Sequence, residues 1–136
     1  MGAIPDMNAL YYRSPHAEVG LRLRKAVESV MPVEKLEVFH ALEDLCQRLR
    51  RAPVYLPGIA VLFAENQDDL LGLLHVRHLF GDLRIILILP DPEEEMVSKG
   101  HALYPRYLTY AYSDFRDVRA VLGRMLEQAH GTGTGG

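Results

Sequence analysis

Two hydrophobic patterns alternate along this chain. Short apolar runs of strand length occupy residues 8–12, 35–40, 59–64, 84–89 and 107–112, and a segment with helical spacing follows each of them. The third and fourth runs are almost continuously apolar, which is typical of strands buried on both faces of a parallel sheet. The fifth run has the aromatic, alternating character of a strand. The pattern predicts five strands and five helices in alternation.

The predicted helices are recognised by apolar residues that recur every three or four positions. Gly100 predicts that the fourth helix is short or broken, and the prolines and glycine of residues 52–58 predict a loop. Pro15 and Pro92 suit the first position of a helix. The residues expected to cap helix starts are Ser14, Asn66, Asp91 and either Ser113 or Asp114.

Alternating strands and helices with short connections imply parallel βαβ units with right-handed crossovers. Five such units predict an α/β, flavodoxin-like, doubly wound sheet of five parallel strands in the order 2-1-3-4-5, with helices on both faces. A ligand crevice is then expected at the carboxyl ends of strands 1 and 3. Residues 1–130 are predicted to form one domain, and the Gly/Thr-rich residues 131–136 a flexible tail.

The composition narrows the class of protein. The hydrophobic fraction of 49% suits a globular domain, and the net charge of -3 argues against a general nucleic-acid surface. No apolar run approaches the ~20 residues that span a bilayer, and the first residues lack signal-peptide features. With Cys46 as its single cysteine, the chain is predicted to be cytoplasmic, without a membrane or nucleic-acid partner.

Over residues 8–128 the order of elements resembles that of the response-regulator receiver family. The resemblance also rests on Arg84–Leu89, followed by Gly100 and residues 107–110. These are similar to a family segment in which a glycine-containing turn leads into a strand that ends in lysine. The resemblance implies a signalling module that acts through helix 4, strand 5 and helix 5 on a protein partner or in a homodimer.

The phosphorylation residues of strands 1 and 3 do not carry over. An acidic pair follows strand 1 in a receiver, whereas Tyr12 and Arg13 stand at that place here. The phosphoacceptor aspartate at the end of strand 3 falls at Ala64 or Glu65. Phosphoryl transfer needs a carboxylate nucleophile and a hard cation held by several oxygens. Arg13 instead introduces positive charge, so neither phosphorylation nor bound Mg²⁺ is expected.

Strands 4 and 5 depart from the family pattern as well. The threonine or serine of strand 4 falls at Leu89 or Pro90, and the lysine of strand 5 falls at Tyr110. The chain is therefore predicted to be a degenerate pseudo-receiver without catalytic residues, metal or cofactor. The residues of its degenerate pocket are predicted to be Tyr12, Arg13, Glu65, Asp91 and Tyr110.

Four tyrosines around the predicted fifth strand suggest a partner surface. Tyr104, Tyr107, Tyr110 and Tyr112 combine apolar area with a hydrogen-bonding tip. Tyr110 and Tyr112 are expected on one face of the strand and Tyr107 on the other. Two interpretations remain open, namely core packing and partner binding.

Other candidate sites have simpler structural explanations. His75 and His78 are three residues apart on a predicted helix, but a metal site would need further ligands. Residues 93–95 fit an acidic helix start, and Arg48, Arg50 and Arg51 fit a basic helix end. Cys46 lies in an apolar stripe and is expected to be buried. The rival function is a small flavodoxin-like enzyme or ligand-binding domain that uses the crevice near Tyr12, Arg13, Glu65 and Asp91.

Overall fold

The computed structural model describes residues 8–13, 18–51 and 58–135, with the backbone alone over residues 128–135. In this part of the chain five parallel strands form one sheet in the order β2-β1-β3-β4-β5. The predicted α/β fold, the parallel sheet and its strand order are confirmed. Residues 52–57 of the loop predicted over residues 52–58 lie outside the described residues, as does the predicted helix start at Ser14 and Pro15.

The strands and helices alternate as the hydrophobic pattern predicts. In chain order they are β1 (Ala9–Arg13), α1 (Glu18–Glu28), β2 (Leu36–Phe39), α2 (Leu42–Arg50), β3 (Ile59–Phe63), α3 (Gln67–His75), β4 (Arg84–Leu89), α4 (Glu94–His101), β5 (Tyr107–Tyr110) and α5 (Arg116–Gly135). Short 3₁₀ turns at Val33–Lys35 and Arg77–Leu79 precede β2 and follow α3. The backbone of α5 is helical through Gly135. The flexible tail over residues 131–136 stays a prediction.

Two apolar layers enclose the sheet because successive strand residues point to opposite faces. One layer packs Tyr11, Val61 and Ile86 against α1 and α5. The other packs Leu10, Leu62 and Leu87 against α2, α3 and α4. All residues of β1 and β3 are buried, which explains why their sequences contain almost no polar residue. The buried Cys46 belongs to the second layer, as its helical stripe predicts.

The fourth helix begins later than its sequence suggests. Asp91 does not cap α4, because its Oδ1 accepts a hydrogen bond from the Glu93 amide (3.0 Å) and closes a turn ahead of the helix. α4 is short, at eight residues, as Gly100 predicts, but the glycine does not break it and lies one residue before its end. A β-carbon built at Gly100 would come 3.0 Å from Leu87 Cδ2, so the glycine allows the helix to approach the sheet closely.

Arg48 is held against the sheet rather than left in solvent. Its guanidinium donates from Nε to Glu37 Oε1 (2.8 Å) and from Nη2 to Glu37 Oε2 (3.0 Å). This two-point ion pair joins α2 to the edge strand β2 and raises the pKa of Arg48 above its usual value. Among the helices described, none has both the length and the apolar character needed to cross a bilayer.

The buried layers lead to a stability prediction for the centre of the sheet. Leu87 is fully buried in β4, so Leu87→Ala should lower the free energy of unfolding by about 2–5 kcal/mol through the cavity it leaves. Leu71 on α3 is 46% exposed, and Leu71→Ala should change the same quantity by about 0.5 kcal/mol or less. Urea unfolding of both variants measures the difference, and equal losses would contradict the packing described here.

Candidate functional site at the carboxyl edge of the sheet

Tyr12 and Arg13 end β1 with their side chains on opposite sides of the sheet. Tyr12 is 5% exposed and packs in the layer beneath α2, α3 and α4. Burial, reinforced by the negative charges of Asp69 and Glu65, raises the pKa of Tyr12 to about 12. Arg13 lies against Gly20 on the α1 side and is 8% exposed. The two residues therefore fill space on either side of the sheet edge instead of converging on one pocket.

Gly20 makes room for the Arg13 side chain. A β-carbon built at this glycine would come 2.5 Å from Arg13 Cδ and 2.6 Å from Arg13 Nη1, closer than real contacts allow. The same residue accepts a hydrogen bond at its carbonyl oxygen from the Tyr11 hydroxyl (2.7 Å). Burial raises the pKa of Tyr11 above its usual value, so this hydroxyl stays protonated as a donor. Gly20 thus fastens α1 to the end of β1 through two side chains.

Two buried polar atoms at this edge lack hydrogen-bond partners within the described residues. They are Arg13 Nε and Glu65 Oε2. Glu65 follows β3, and its amide donates to Asp69 Oδ2 (3.1 Å) near the start of α3. The predicted cap of that helix is present, since Asn66 Oδ1 accepts from the Asp69 amide (2.9 Å). Burying an unpaired polar atom costs about 1–3 kcal/mol, so each marks a locally unfavourable arrangement.

Of the remaining pocket residues, Asp91 follows β4 and Tyr110 is the last residue of β5. Asp91 is exposed and is engaged in the turn before α4. Tyr110 is half-buried and packs with the layer beneath α4. Within the described ranges, no three or more His, Cys, Asp or Glu side chains are grouped so that they could hold a metal ion. His75 and His78 are both exposed.

The four tyrosines are distributed between core and surface. Tyr107 is half-buried against the α1 and α5 layer, and its hydroxyl donates to Asp117 Oδ2 (2.9 Å). Tyr110 and Tyr112 stack with ring centroids 5.7 Å apart and planes 15° from parallel. Tyr112 is 70% exposed, and Tyr104, in the turn before β5, is 85% exposed. Core packing thus applies in part to Tyr107 and Tyr110, whereas partner binding by the exposed Tyr104 and Tyr112 stays a prediction.

Asp117 organises the end of β5, a role that the sequence analysis did not identify. Its Oδ2 accepts from the Thr109 hydroxyl (2.6 Å) as well as from Tyr107, and its Oδ1 accepts from the Ser113 hydroxyl (3.0 Å). Burial on its own would raise the pKa of Asp117, but these hydrogen bonds and one from the Val118 amide together lower it. A spacing of four residues from Ser113 was the one available signal.

Arg22 of α1 contacts the turn between β5 and α5. Its guanidinium lies 5.3 Å from the centroid of the Phe115 ring, and its Nη groups donate to the carbonyl oxygens of Ala111 and Ser113 (both 3.3 Å). Phe115 is fully buried and has a φ of 65°, a backbone conformation that bulky residues rarely adopt. Arg22 and Asp117 together hold this strained turn.

The packing of Arg13 on Gly20 leads to a prediction of energetic coupling. Alanine is favoured over glycine in a helix by about 1 kcal/mol, so Gly20→Ala should stabilise α1 wherever space permits. In the native chain the new methyl group meets Arg13, whereas Arg13→Ala removes the three side-chain atoms that lie nearest to it. Gly20→Ala should therefore be more favourable by about 1 kcal/mol or more in that background.

Urea unfolding of the native chain, both single variants and the double variant measures this coupling. Purely additive effects would show that Arg13 does not occupy the space above Gly20.

The lowered pKa of Asp117 predicts how stability depends on pH. A group whose pKa is lower in the folded state stabilises the fold above its unfolded pKa of about 3.9, and this contribution is lost as the pH falls through the folded pKa. The free energy of unfolding should therefore decrease below about pH 4. In Asp117→Asn, which cannot ionise, this part of the decrease should be missing. Urea titrations from pH 6 to pH 2.5 test the difference, and identical pH profiles would refute it.

Comparison with known proteins shows similarity in structure without detectable similarity in sequence. No protein-family model and no curated protein sequence matches the chain. The signal receiver domain of an HD domain-containing protein from Pseudomonas fluorescens Pf-5 superposes with a TM-score of 0.69 and 16% identity, covering 91% of this chain and 98% of that one. A proposed pilus assembly-related protein from Burkholderia pseudomallei K96243 gives a TM-score of 0.68 and 14% identity, covering 94% and 96%.

A longer protein matches over part of its length. The RcsB response regulator of Salmonella typhimurium superposes with a TM-score of 0.67 and 16% identity, covering 91% of this chain and 61% of RcsB. The chain thus spans less than two thirds of that regulator. Its similarity to these proteins, together with the strand order 2-1-3-4-5, shows that the chain has the fold of response-regulator receiver domains.

Proposed function

We propose that this protein is a receiver-like signalling or scaffolding module that is not phosphorylated, is not an enzyme and acts by binding another protein. The observation that carries the proposal is the burial of Tyr12 and Arg13 at the end of β1, where the resemblance places a receiver's acidic pair. A divalent cation requires several oxygen ligands at short range. The Arg13 guanidinium supplies none, and Tyr12, whose pKa is raised by burial, supplies only one uncharged hydroxyl.

The electrostatics of the edge favour the same conclusion. Glu65 is the carboxylate closest in sequence to the phosphoacceptor position. The positive charge of Arg13 also lies at the end of β1, where it partly offsets the rise in the Tyr11 pKa that burial causes. A fixed positive charge at this place opposes the binding of a second cation. Arg13 also cannot serve as the carboxylate nucleophile that phosphoryl transfer needs.

The tyrosines of the β5 region support a partner-binding surface on α4, β5 and α5. Tyr112 exposes most of its side chain, and Tyr110 contributes part of its ring beside Tyr112. Aromatic residues of this kind are enriched at protein interfaces. A protein partner or a second copy of the chain are the two occupants that we consider for this face.

A ligand-binding function at the crevice is the second candidate. Arg13 Nε and Glu65 Oε2 are buried and lack partners within the described residues, as expected where a ligand completes a site. A thermal-shift screen of small carboxylic acids and phosphate esters tests this function, since binding to the folded state raises the melting temperature. A hit that disappears in Arg13→Met would favour it over the pseudo-receiver function.

The absence of phosphorylation is directly testable. With Mg²⁺ and either acetyl phosphate or beryllofluoride, the mass of the protein and its amide NMR spectrum should stay unchanged, because Tyr12 and Arg13 replace the cation-binding acids. A receiver domain of known phosphorylation, treated in parallel, serves as the positive control. Stoichiometric phosphorylation of Glu65 or of an aspartate near the crevice would refute the proposal.

The contrast between Tyr107 and Tyr112 tests the partner surface. Tyr107→Ala removes core contacts and a hydrogen bond to Asp117, so it should cost about 2 kcal/mol or more of unfolding free energy. Tyr112→Ala should change this quantity by about 0.5 kcal/mol or less, because the side chain is 70% exposed.

Association should respond in the opposite way. If a homodimer forms through this face, sedimentation should show weaker self-association for Tyr112→Ala than for a folded Tyr107→Ala protein. A dimer that is weakened by neither substitution would place the interface elsewhere.

A further inference from the structure

The stacked pair of Tyr110 and Tyr112 forms an aromatic platform at the carboxyl edge of the sheet. Tyr110 is anchored in the layer beneath α4, whereas Tyr112 lies beyond the end of β5 and is 70% exposed. The near-parallel rings, 5.7 Å apart, leave Tyr112 supported on one side and accessible to solvent over most of its surface. An exposed aromatic face of this kind attracts cations through the negative charge density of its π-system.

An acidic segment borders this platform. Leu89 pairs with Tyr110 in the sheet, and its carbonyl oxygen accepts from the Ala111 amide (2.8 Å), so the residues that follow β4 lie beside those that follow β5. The segment after β4 contains four acidic residues, whereas no lysine or arginine occurs from Ile85 to Ser98. All four are exposed: Asp91, Glu93, Glu94 and Glu95.

Two of these carboxylates are available for a partner. Asp91 is engaged with the Glu93 amide, and Glu95 pairs with Lys99 (3.3 Å). In the part of the chain that the structure describes, the carboxylates of Glu93 and Glu94 make no ion pair. Glu93 precedes α4 and Glu94 is its first residue. The helix packs closely on β4 and β5 at Gly100. The aromatic platform and these two acids therefore follow neighbouring strands at the same edge of the sheet.

We propose that the platform and these two acids form one surface that binds a basic segment of a protein partner, with an arginine or lysine over Tyr112 and neighbouring basic residues opposite Glu93 and Glu94. The proposal rests on the protein-binding function proposed above and specifies the chemistry of the partner. Cation–π attraction and charge complementarity both select a positively charged segment. A second copy of this chain is the alternative occupant, and the experiment separates the two.

Tyr104 supplies a matched control. It is 85% exposed, but it precedes β5 and so lies toward the amino edge of the sheet, away from Tyr112. In the described ranges no stacking partner or cation contact is found for its ring. Tyr104→Ala thus removes an equally accessible tyrosine without altering the platform.

The test uses a ten-residue peptide of alternating arginine and glycine, with a glutamate–glycine peptide of the same length as its control. Titration of the full chain, followed by amide NMR, should give saturable shifts centred on Ala111–Ser113 and Glu93–Glu95 with the arginine peptide alone. Tyr112→Ala should weaken binding by about two- to fivefold, as expected for a cation–π contact at an exposed site. Tyr104→Ala should leave the affinity unchanged.

Charge removal provides the second arm. The double variant Glu93→Gln, Glu94→Gln should weaken binding and reduce its dependence on salt, because fewer exposed charges are then screened. Equal affinity in the native chain, Tyr112→Ala and the double variant would overturn the proposal. Self-association that is lost in Tyr112→Ala and blocks the peptide would assign the surface to a second copy and would also overturn it.

Failure of the basic-segment proposal and failure of the proposed function give different experimental results. A protein partner whose binding is weakened by Tyr104→Ala or Tyr107→Ala but not by Tyr112→Ala would leave the partner-binding function standing and remove the basic-segment proposal. Phosphorylation of the chain would instead refute the proposed function. The peptide titrations with the Tyr112→Ala and the Glu93→Gln, Glu94→Gln variants would still decide whether the basic segment binds.

Discussion

The central strands β1, β3 and β4 are buried on both faces, and the geometry of the carboxyl edge depends on this constraint. Their registers run side by side from Ala9, Ile59 and Arg84, so the positions at which they end are fixed relative to one another. A residue at the end of each strand or just past it can then face only a helix layer or the solvent above the edge. Tyr12 takes the first environment, and Asp91 takes the second.

The burial of the positively charged Arg13 at the carboxyl edge of the sheet requires space and carries an energetic cost. A buried guanidinium is tolerated where a neighbouring helix leaves room, and Gly20 leaves that room at the cost of helical propensity in α1. The unpartnered Nε adds a further cost. Stability alone would favour an apolar residue at position 13 and an alanine at position 20.

Much of the fold could be predicted because burial on both faces leaves a direct trace in sequence, as in residues 59–63 and Arg84–Leu89. The cap at Asn66 was equally readable, since it depends on residues three apart. The site was less accessible. That Arg13 would lie on Gly20, and that Asp117 would gather Thr109, Tyr107 and Ser113, depends on how helices settle on the sheet, which no local spacing encodes. The helix start expected at Asp91 failed because a local turn competed for the same carboxylate.

The clamp of Arg22 on the turn after β5 has a consequence for the order of folding. Its hydrogen bonds join residues 89 and 91 positions apart in the chain, so they form only after α1 and the last strand have reached the sheet. Closing so long a loop is entropically costly until other contacts have already shortened it. The left-handed backbone at Phe115 gains its support at the same moment. The carboxyl edge is therefore expected to be completed late, and an intermediate in which α1 has not docked would leave the turn at Phe115 without the support of Arg22.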